Sequence, residues 1–541
     1  MENVAAALSR IRSSIVGERS ACFVSRWLFL RLLGVVYLIA FISLWTQIHG
    51  LIGHNGILPV ADYLKAVGDQ LGPERYWWLP TFCWLNPSDG FLHFQCAAGV
   101  ALSLLLIAGV APVLDLVLLW AIYLSLSTVC RDFLGFQWDI LLLETGFLAI
   151  FLAPRQWLPK FSRETPPSAT VLWLCRWLLF RLMFMSGAVK LLSGDATWQN
   201  LTALTLHYET QPLPTWIGWY AHQLPAWFQM ASCGIMFVIE LAAPVLIFFG
   251  KRPRRIACAA FALLMLLISL TGNYCFFNLL TMTLCVLLLD DAFLLRWAPA
   301  SAAAFVRGRL SHPTESSLQP SETPSTALRA RSPPPGEKDR MRGYGSWDAL
   351  RAVGVGLLAA MIVLVSGLET AARLFRVENL PRPGLQLLRR ISPLRSVSSY
   401  GLFAVMTATR PEIIVEGSND GVHWLAYEFK WKPGDLKRRP SFVAPHQPRL
   451  DWQMWFEALR ALDRRPPSRW FANFLTRLLQ GPPEVLALLE KNPFPDEPPR
   501  YVRAALYEYH FTDPAARRAT GDWWRREPEG LYCPQISLRQ N

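Results

Sequence analysis

The stretch IACAAFALLMLLISLTGNYCFFNLLTMTLCVLLL, residues 256–289, runs for 34 residues without one charged side chain. As a single helix it would be about 51 Å long, far beyond a hydrocarbon core of about 30 Å. Gly272-Asn273-Tyr274 interrupts it, so the length is met by a tight hairpin of two spans, 256–272 and 274–289. No soluble domain needs such a run. The chain reads as a polytopic α-helical membrane protein.

Working outward, seven further stretches approach the roughly 20 apolar residues of a crossing: 27–48, 91–110, 113–130, 138–153, 171–192, 227–249 and 350–368. About nine transmembrane helices are therefore expected, the shortest being 138–153 and 274–289. Composition agrees: of 541 residues, 52% are hydrophobic and 17% charged, against about 25% charged in soluble domains.

The net charge of +13 would suit nucleic acid, but lysine and arginine also mark cytoplasmic loops. With the N-terminus inside, cytoplasmic segments carry 19 Lys and Arg and the outer loops only 3. That asymmetry assigns residues 1–26 to the cytoplasm, 27–290 to an eight-helix membrane domain, 291–349 to a basic linker, 350–368 to the ninth span and 369–541 to an extracytoplasmic domain. The linker is rich in Pro, Ser and Arg, a composition that cannot bury enough apolar surface to order itself. The first span follows a polar leader and lacks a small-residue cleavage site, as in an uncleaved signal anchor. Most of the positive excess is topological, so nucleic acid is not an expected partner; the tail's own +7 points to a protein or a membrane surface.

The 173 residues from 369 onward are enough for a core, and their pattern is α+β with a β-sheet. A β-hairpin is expected from 412–417 and 423–431 around Asp420-Gly421, a pair that tolerates positive φ. Helical patterns occupy 450–462, 469–479 and 484–490, and 501–511 alternates as a strand. Cys533 is the tail's single cysteine, so no internal disulfide is expected there. Cys83 and Cys130 both fall near the outer face, where a bridge is conceivable.

Catalytic signatures are scarce: there is no nucleophile elbow, no H-E-x-x-H helix, no P-loop and no dinucleotide fingerprint. The expectation is a protein without cofactor, metal or catalytic residues. Charges within the spans are candidates for function or pairing; Glu144 and Glu240 against Arg176 and Arg181 are the expected pairs. Eight of the nine histidines map to the outer side. Together with Lys190, which lies near His207 and Glu209, they carry the alternative reading, an intramembrane enzyme acting on a lipid-soluble or membrane-proximal substrate. A desolvated lysine can act as a base. Asn200-Leu201-Thr202 is a sequon in an outer loop, a glycosylation acceptor in a eukaryotic lumen.

Several blocks in order resemble the lipase maturation factor family: LIGHNGILP (51–59), FQWDILLLETGF (136–147), HYETQPLP (207–214), Gly272-Asn273-Tyr274 with Phe277-Asn278, YGLF (400–403), YEFK (427–430), KPGD (432–435), RLDWQMWF (449–456) and NPF (492–494). The resemblance spans nearly the whole chain after Trp27, apart from the linker at 298–348. It implies a polytopic protein of the endoplasmic reticulum membrane, with a luminal C-terminal domain, that helps secreted lipases or related exported clients fold and assemble. The tail closes without a Lys-Asp-Glu-Leu type signal, and in a prokaryote the same protein would sit in the plasma membrane. Client contacts are expected from aromatic side chains of the outer domain, Trp424, Trp452, Trp455 and Phe456, since aromatics are enriched in binding hot spots.

Overall fold

The computed structural model describes residues 22–158, 166–297, 299–300, 337–375 and 382–538, with the backbone alone for 337–352. Nine principal helices build the membrane half: α1 (Phe23–Trp45), α2 (Asp89–Ala108), α3 (Pro112–Val129), α4 (Gln137–Leu152), α5 (Ala169–Leu192), α6 (Ala226–Phe237), α7 (Lys251–Thr271), α8 (Phe277–Cys285) and α9 (Glu337–Leu374). Among the described residues seven helices are long and apolar enough to cross a membrane, or eight if α8 and the short helix Asp291–Trp297, bent by 114° from it, count as one span. The count of nine is thus approximate. Helix α4, at 16 residues, is short for a crossing, but Leu141 to Gly146 lie buried inside the bundle.

Close approach of α1 to α2 depends on two small residues. A Cβ on Gly99 would lie 2.4 Å from the Phe41 ring, and one on Gly34 would lie 2.8 Å from Ile107. The α2–α3 turn closes because Gly109 takes φ +86°, a region glycine enters freely, and Pro112 then begins α3 where its missing N–H costs nothing. Helix α6 continues into a π turn at Val238–Ala242 and a 3-10 turn at Ala243–Phe248, which includes Pro244.

The two ends of the bundle differ. At one end the Asp291 carboxylate accepts from the backbone N–H groups of Phe23, Val24 and Ser25 at 2.8–3.2 Å. It caps α1 from more than 260 residues away in sequence, satisfying donors no helix can satisfy itself. Asp290 beside it pairs with Arg255 and Lys251. The structure departs from the expected linker at both margins: Asp291–Trp297 is a helix packed on α1, and α9 is helical from Glu337. Residues 301–336 lie outside the described residues, as do 1–21.

The other end carries the C-terminal domain. After α10 (Arg382–Ile391) comes a four-stranded antiparallel sheet in the order β2-β1-β5-β6, made of β1 (Pro411–Ser418), β2 (Leu425–Ala426), β5 (Tyr501–Phe511) and β6 (Trp524–Ile536). The Asp420-Gly421 turn forms, with Gly421 at φ +76°. The expected second strand, however, breaks in two: Leu425–Ala426 pairs with β1, while β3 (Glu428–Phe429) pairs with β4 (Leu489–Lys491). That pairing also replaces most of the helix expected at 484–490, which shrinks to Pro483–Leu486. Helices α11 (Arg449–Leu462) and α12 (Arg469–Gln480) lie where the pattern placed them. The ten cysteines are all free, Cys83 and Cys130 included.

Candidate functional site: the outer seam

The membrane half and the C-terminal domain meet in a buried polar seam, and the sequence blocks that carry the family resemblance gather there. Asp139, near the start of α4, accepts from both terminal nitrogens of Arg449 at 2.6 and 2.9 Å, and neither side chain is exposed. Arg449 also donates to Phe133 O at 3.0 Å. One turn and a half along α4, Glu144 forms an ion pair with Arg181 of α5 and accepts from the Tyr400 hydroxyl at 2.6 Å and the Ser398 N–H at 3.0 Å. A lone carboxylate in hydrocarbon is costly. Each acid draws part of its partners from the membrane half, Arg181 for Glu144 and the Tyr123 hydroxyl for Asp139, and the rest from the C-terminal segment.

Loops repeat the pattern. Asn273, in the break between α7 and α8, accepts from the N–H groups of Val443 and Ala444 and donates to Ser441 O. Ser43, in the last turn of α1, and Gln47, just beyond it, accept from the Gln447 and Arg449 backbone N–H groups, and Ser43 Oγ meets His446 Nδ1 at 3.1 Å. Burial, with Arg449 and Lys430 nearby, pushes the His446 imidazole down to about 4, so it is neutral in the seam. Gly50 fits because Glu484 O and Leu488 stand where its Cβ would be, and Arg477 donates to Gly56 O at 2.9 Å. Arg410, fully buried, donates to the carbonyls of Glu209, Gln211 and Pro212 and pairs with Glu412 at 2.8 Å.

The aromatic candidates separate. Trp452 is buried and packs edge-on against Trp138, with ring centres 4.7 Å apart, and Trp455 donates to Thr210 O at 3.0 Å. These two side chains are buried in the seam, 3% and 6% exposed. Phe456 is 43% exposed. Trp424 is half-buried, with the Arg503 guanidinium 4.1 Å from its ring centre.

The membrane charges sort differently from the sequence expectation. Glu144 takes Arg181, but Glu240 takes Lys190, whose ammonium lies 2.7 and 2.8 Å from both carboxylate oxygens. Arg176 instead reaches Leu287 O. The π turn at 238–242 is what brings Glu240 inward, a geometry frequent at functional positions. His207 stacks on Tyr274 and lies 3.1 Å from its hydroxyl; burial and the charge of Lys190 push it down to about 4. Glu209 faces the other way, accepting from Phe511 N–H at 2.6 Å and lying 3.1 Å from His510 Nδ1. The Lys190, His207 and Glu209 set is therefore not one site: the first two line a membrane cavity and the third belongs to the seam. Asn200 is exposed just outside α5.

No sequence signal marks the seam, because its partners are hundreds of residues apart. The nearest clue is the clustering of buried-type polar residues in the long blocks at 136–147 and 449–456.

The lipase maturation factor transmembrane domain profile matches residues 24–296, and the lipase maturation factor C-terminal domain profile matches 396–534. Lipase maturation factor 2 of Gallus gallus is 39% identical over 95% of this chain and 81% of its own, and the Homo sapiens protein of that name is 38% identical over 95% and 82%. Lipase maturation factor 1 of Bos taurus is 35% identical over 95% and 89%. No solved structure matches the chain.

Proposed function

The chain belongs to the lipase maturation factor family, and from that premise we propose that it is a membrane-bound maturation factor that assists the folding and assembly of secreted lipases or related exported clients. The observation that carries the reading is the seam. A folding assistant has to hold exposed apolar surface of a client where the client emerges, and the C-terminal domain is fixed rigidly on the bundle's outer end by buried contacts.

The proposed orientation places this domain in the lumen of the endoplasmic reticulum and the N-terminus in the cytoplasm. Two observations support it: the excess of Lys and Arg in alternate loops, and the gathering of Arg255, Lys251 and the Asp291 cap at the end opposite the C-terminal domain. The client surface is assigned to side chains left outside the seam, Phe456 and Trp424, with Val422 and Leu425 beside the β1–β2 turn 73% and 50% exposed. The role is non-catalytic. Lys190 is held by both oxygens of Glu240 and is not poised as a base.

The test is complementation. Cells that lack their own maturation factor and secrete a dimeric lipase are supplied with this chain, and lipase activity is measured against lipase mass. Restored specific activity is expected; an unchanged ratio with normal membrane insertion overturns the proposal.

A further inference from the structure

Between α5, α6 and α7 lies a cavity of about 330 Å³ that the maturation reading does not use. It is roughly twice the ~150 Å³ of an engineered cavity that stays dry and takes up benzene. Leu182, Met183, Leu264 and Met265 give it an apolar body. Two of its lining residues, Phe228 of α6 and Leu267 of α7, are 44% and 50% exposed, so the cavity opens between these two helices.

Polar side chains interrupt that apolar body. Lys190 and Glu240 line the cavity, but they neutralise each other at 2.7 and 2.8 Å. An ionic head group would find no uncompensated counter-charge, and a buried unpaired ion is expensive. Asn278, 3% exposed, also lines the cavity; its amide nitrogen donates to Ser269 Oγ at 2.9 Å, while its Oδ1 has no partner. A buried acceptor left unmet costs about 1–3 kcal/mol, so this wall lacks a donor.

The outer roof comes from the C-terminal segment. Phe403, at φ +53°, packs edge-on against both His207 and Tyr274, with ring centres 5.1 and 5.8 Å away. A phenylalanine rarely holds that backbone region, and such strain collects at ligand clamps.

We propose that this cavity binds a bilayer amphiphile with an apolar chain and a small, uncharged, hydroxyl-bearing head group. The chain enters laterally between Phe228 and Leu267, and the hydroxyl supplies the donor missing at Asn278. The inference rests on the cavity alone and does not depend on the lipase reading.

The test uses the full-length protein in nanodiscs with a photoactivatable monoacylglycerol carrying a diazirine in its chain, and the lysophosphatidate of the same chain as the charged control. Saturable labelling on α5, α6 and α7 is expected, competed by unlabelled monoacylglycerol and at least tenfold weaker with the lysophosphatidate. Ser186→Trp, which fills the cavity from α5, should abolish labelling, and Asn278→Leu, which removes the acceptor for the hydroxyl, should weaken monoacylglycerol labelling several-fold. If Ser186→Trp does not fold, Leu267→Trp blocks the half-exposed mouth instead. Equal labelling by both probes, unsaturable labelling spread around the lipid-facing belt, or full labelling of a folded cavity-filling variant each overturns the proposal.

Discussion

Arg449 and Asp139 are 310 positions apart in sequence and joined by two hydrogen bonds of 2.6 and 2.9 Å, with the Tyr123 hydroxyl on the same carboxylate at 2.5 Å. Breaking a buried pair from one side leaves the other charge uncompensated, at a cost of about 3–5 kcal/mol. Arg449→Ala is therefore expected to lower the thermal inactivation temperature and lipase specific activity sharply. The double change Asp139→Leu with Arg449→Leu should recover much of the stability. A double-mutant cycle in which the two losses simply add would show that the residues act independently.

Lys190 with Glu240 offers the corresponding test in the membrane. Lys190→Met alone is expected to destabilise by several kcal/mol, since Glu240 stays buried without its partner. Lys190→Met with Glu240→Leu should restore folded yield together with maturation activity. Restored yield with activity abolished would assign the lysine a chemical role.

The seam should loosen in acid. His446 has its ordinary value of 6.5 lowered to about 4 by burial, so the folded state binds its proton less readily than the unfolded one. Its contribution is complete above pH 6.5 and is lost as pH falls towards 4, up to about 2 kcal/mol by pH 5. Thermal stability measured from pH 7.5 to 5 is expected to fall, and His446→Gln, keeping a polar group near Ser43, should flatten that fall. An unchanged slope in the variant would place the sensitivity elsewhere, His207 being the next candidate with the same direction of shift.

Asn200 reports the orientation. Its side chain is exposed, and Thr202 completes the sequon in the loop after α5. Expressed in a eukaryotic cell, the chain should carry an endoglycosidase-sensitive glycan that Asn200→Gln removes, and an epitope in the tail should resist protease until the membranes are opened. A protease-accessible tail in sealed microsomes contradicts the luminal placement.

The sequence exposed the membrane half well because a hydrocarbon solvent demands long apolar helices and little else. Span limits moved by only a few residues, except at α9, which is helical from Glu337 and not from 350; the short α4 and α8 suffice because protein interior stands in for lipid there. In the tail, α11, α12 and β5 were legible from periodicity. Strand β6 was not: Pro528, Gly530 and Pro534 interrupt it, and its residues from Arg525 to Gly530 are exposed, so it has no apolar alternation to read. The broken second strand was equally hidden, because what divides it is β4, some 60 residues away. The charge partners failed for the same reason. Sequence shows that Glu240 needs a cation, but only the π turn in α6 decides that it is Lys190 and not Arg176.

The Asp291 cap and the Arg449 clamp also set a timetable for synthesis. At about 5–20 residues per second, the ribosome inserts Asp139 roughly 15 to 60 s before Arg449 exists, and throughout that interval a membrane acid waits for its cation. A chain stopped by a nonsense codon anywhere between the ninth span and Arg449 would complete every crossing yet leave that acid orphaned for good. Late truncations should therefore behave genetically as full losses, removed by membrane quality control, and not as partly active proteins that merely lack the C-terminal domain.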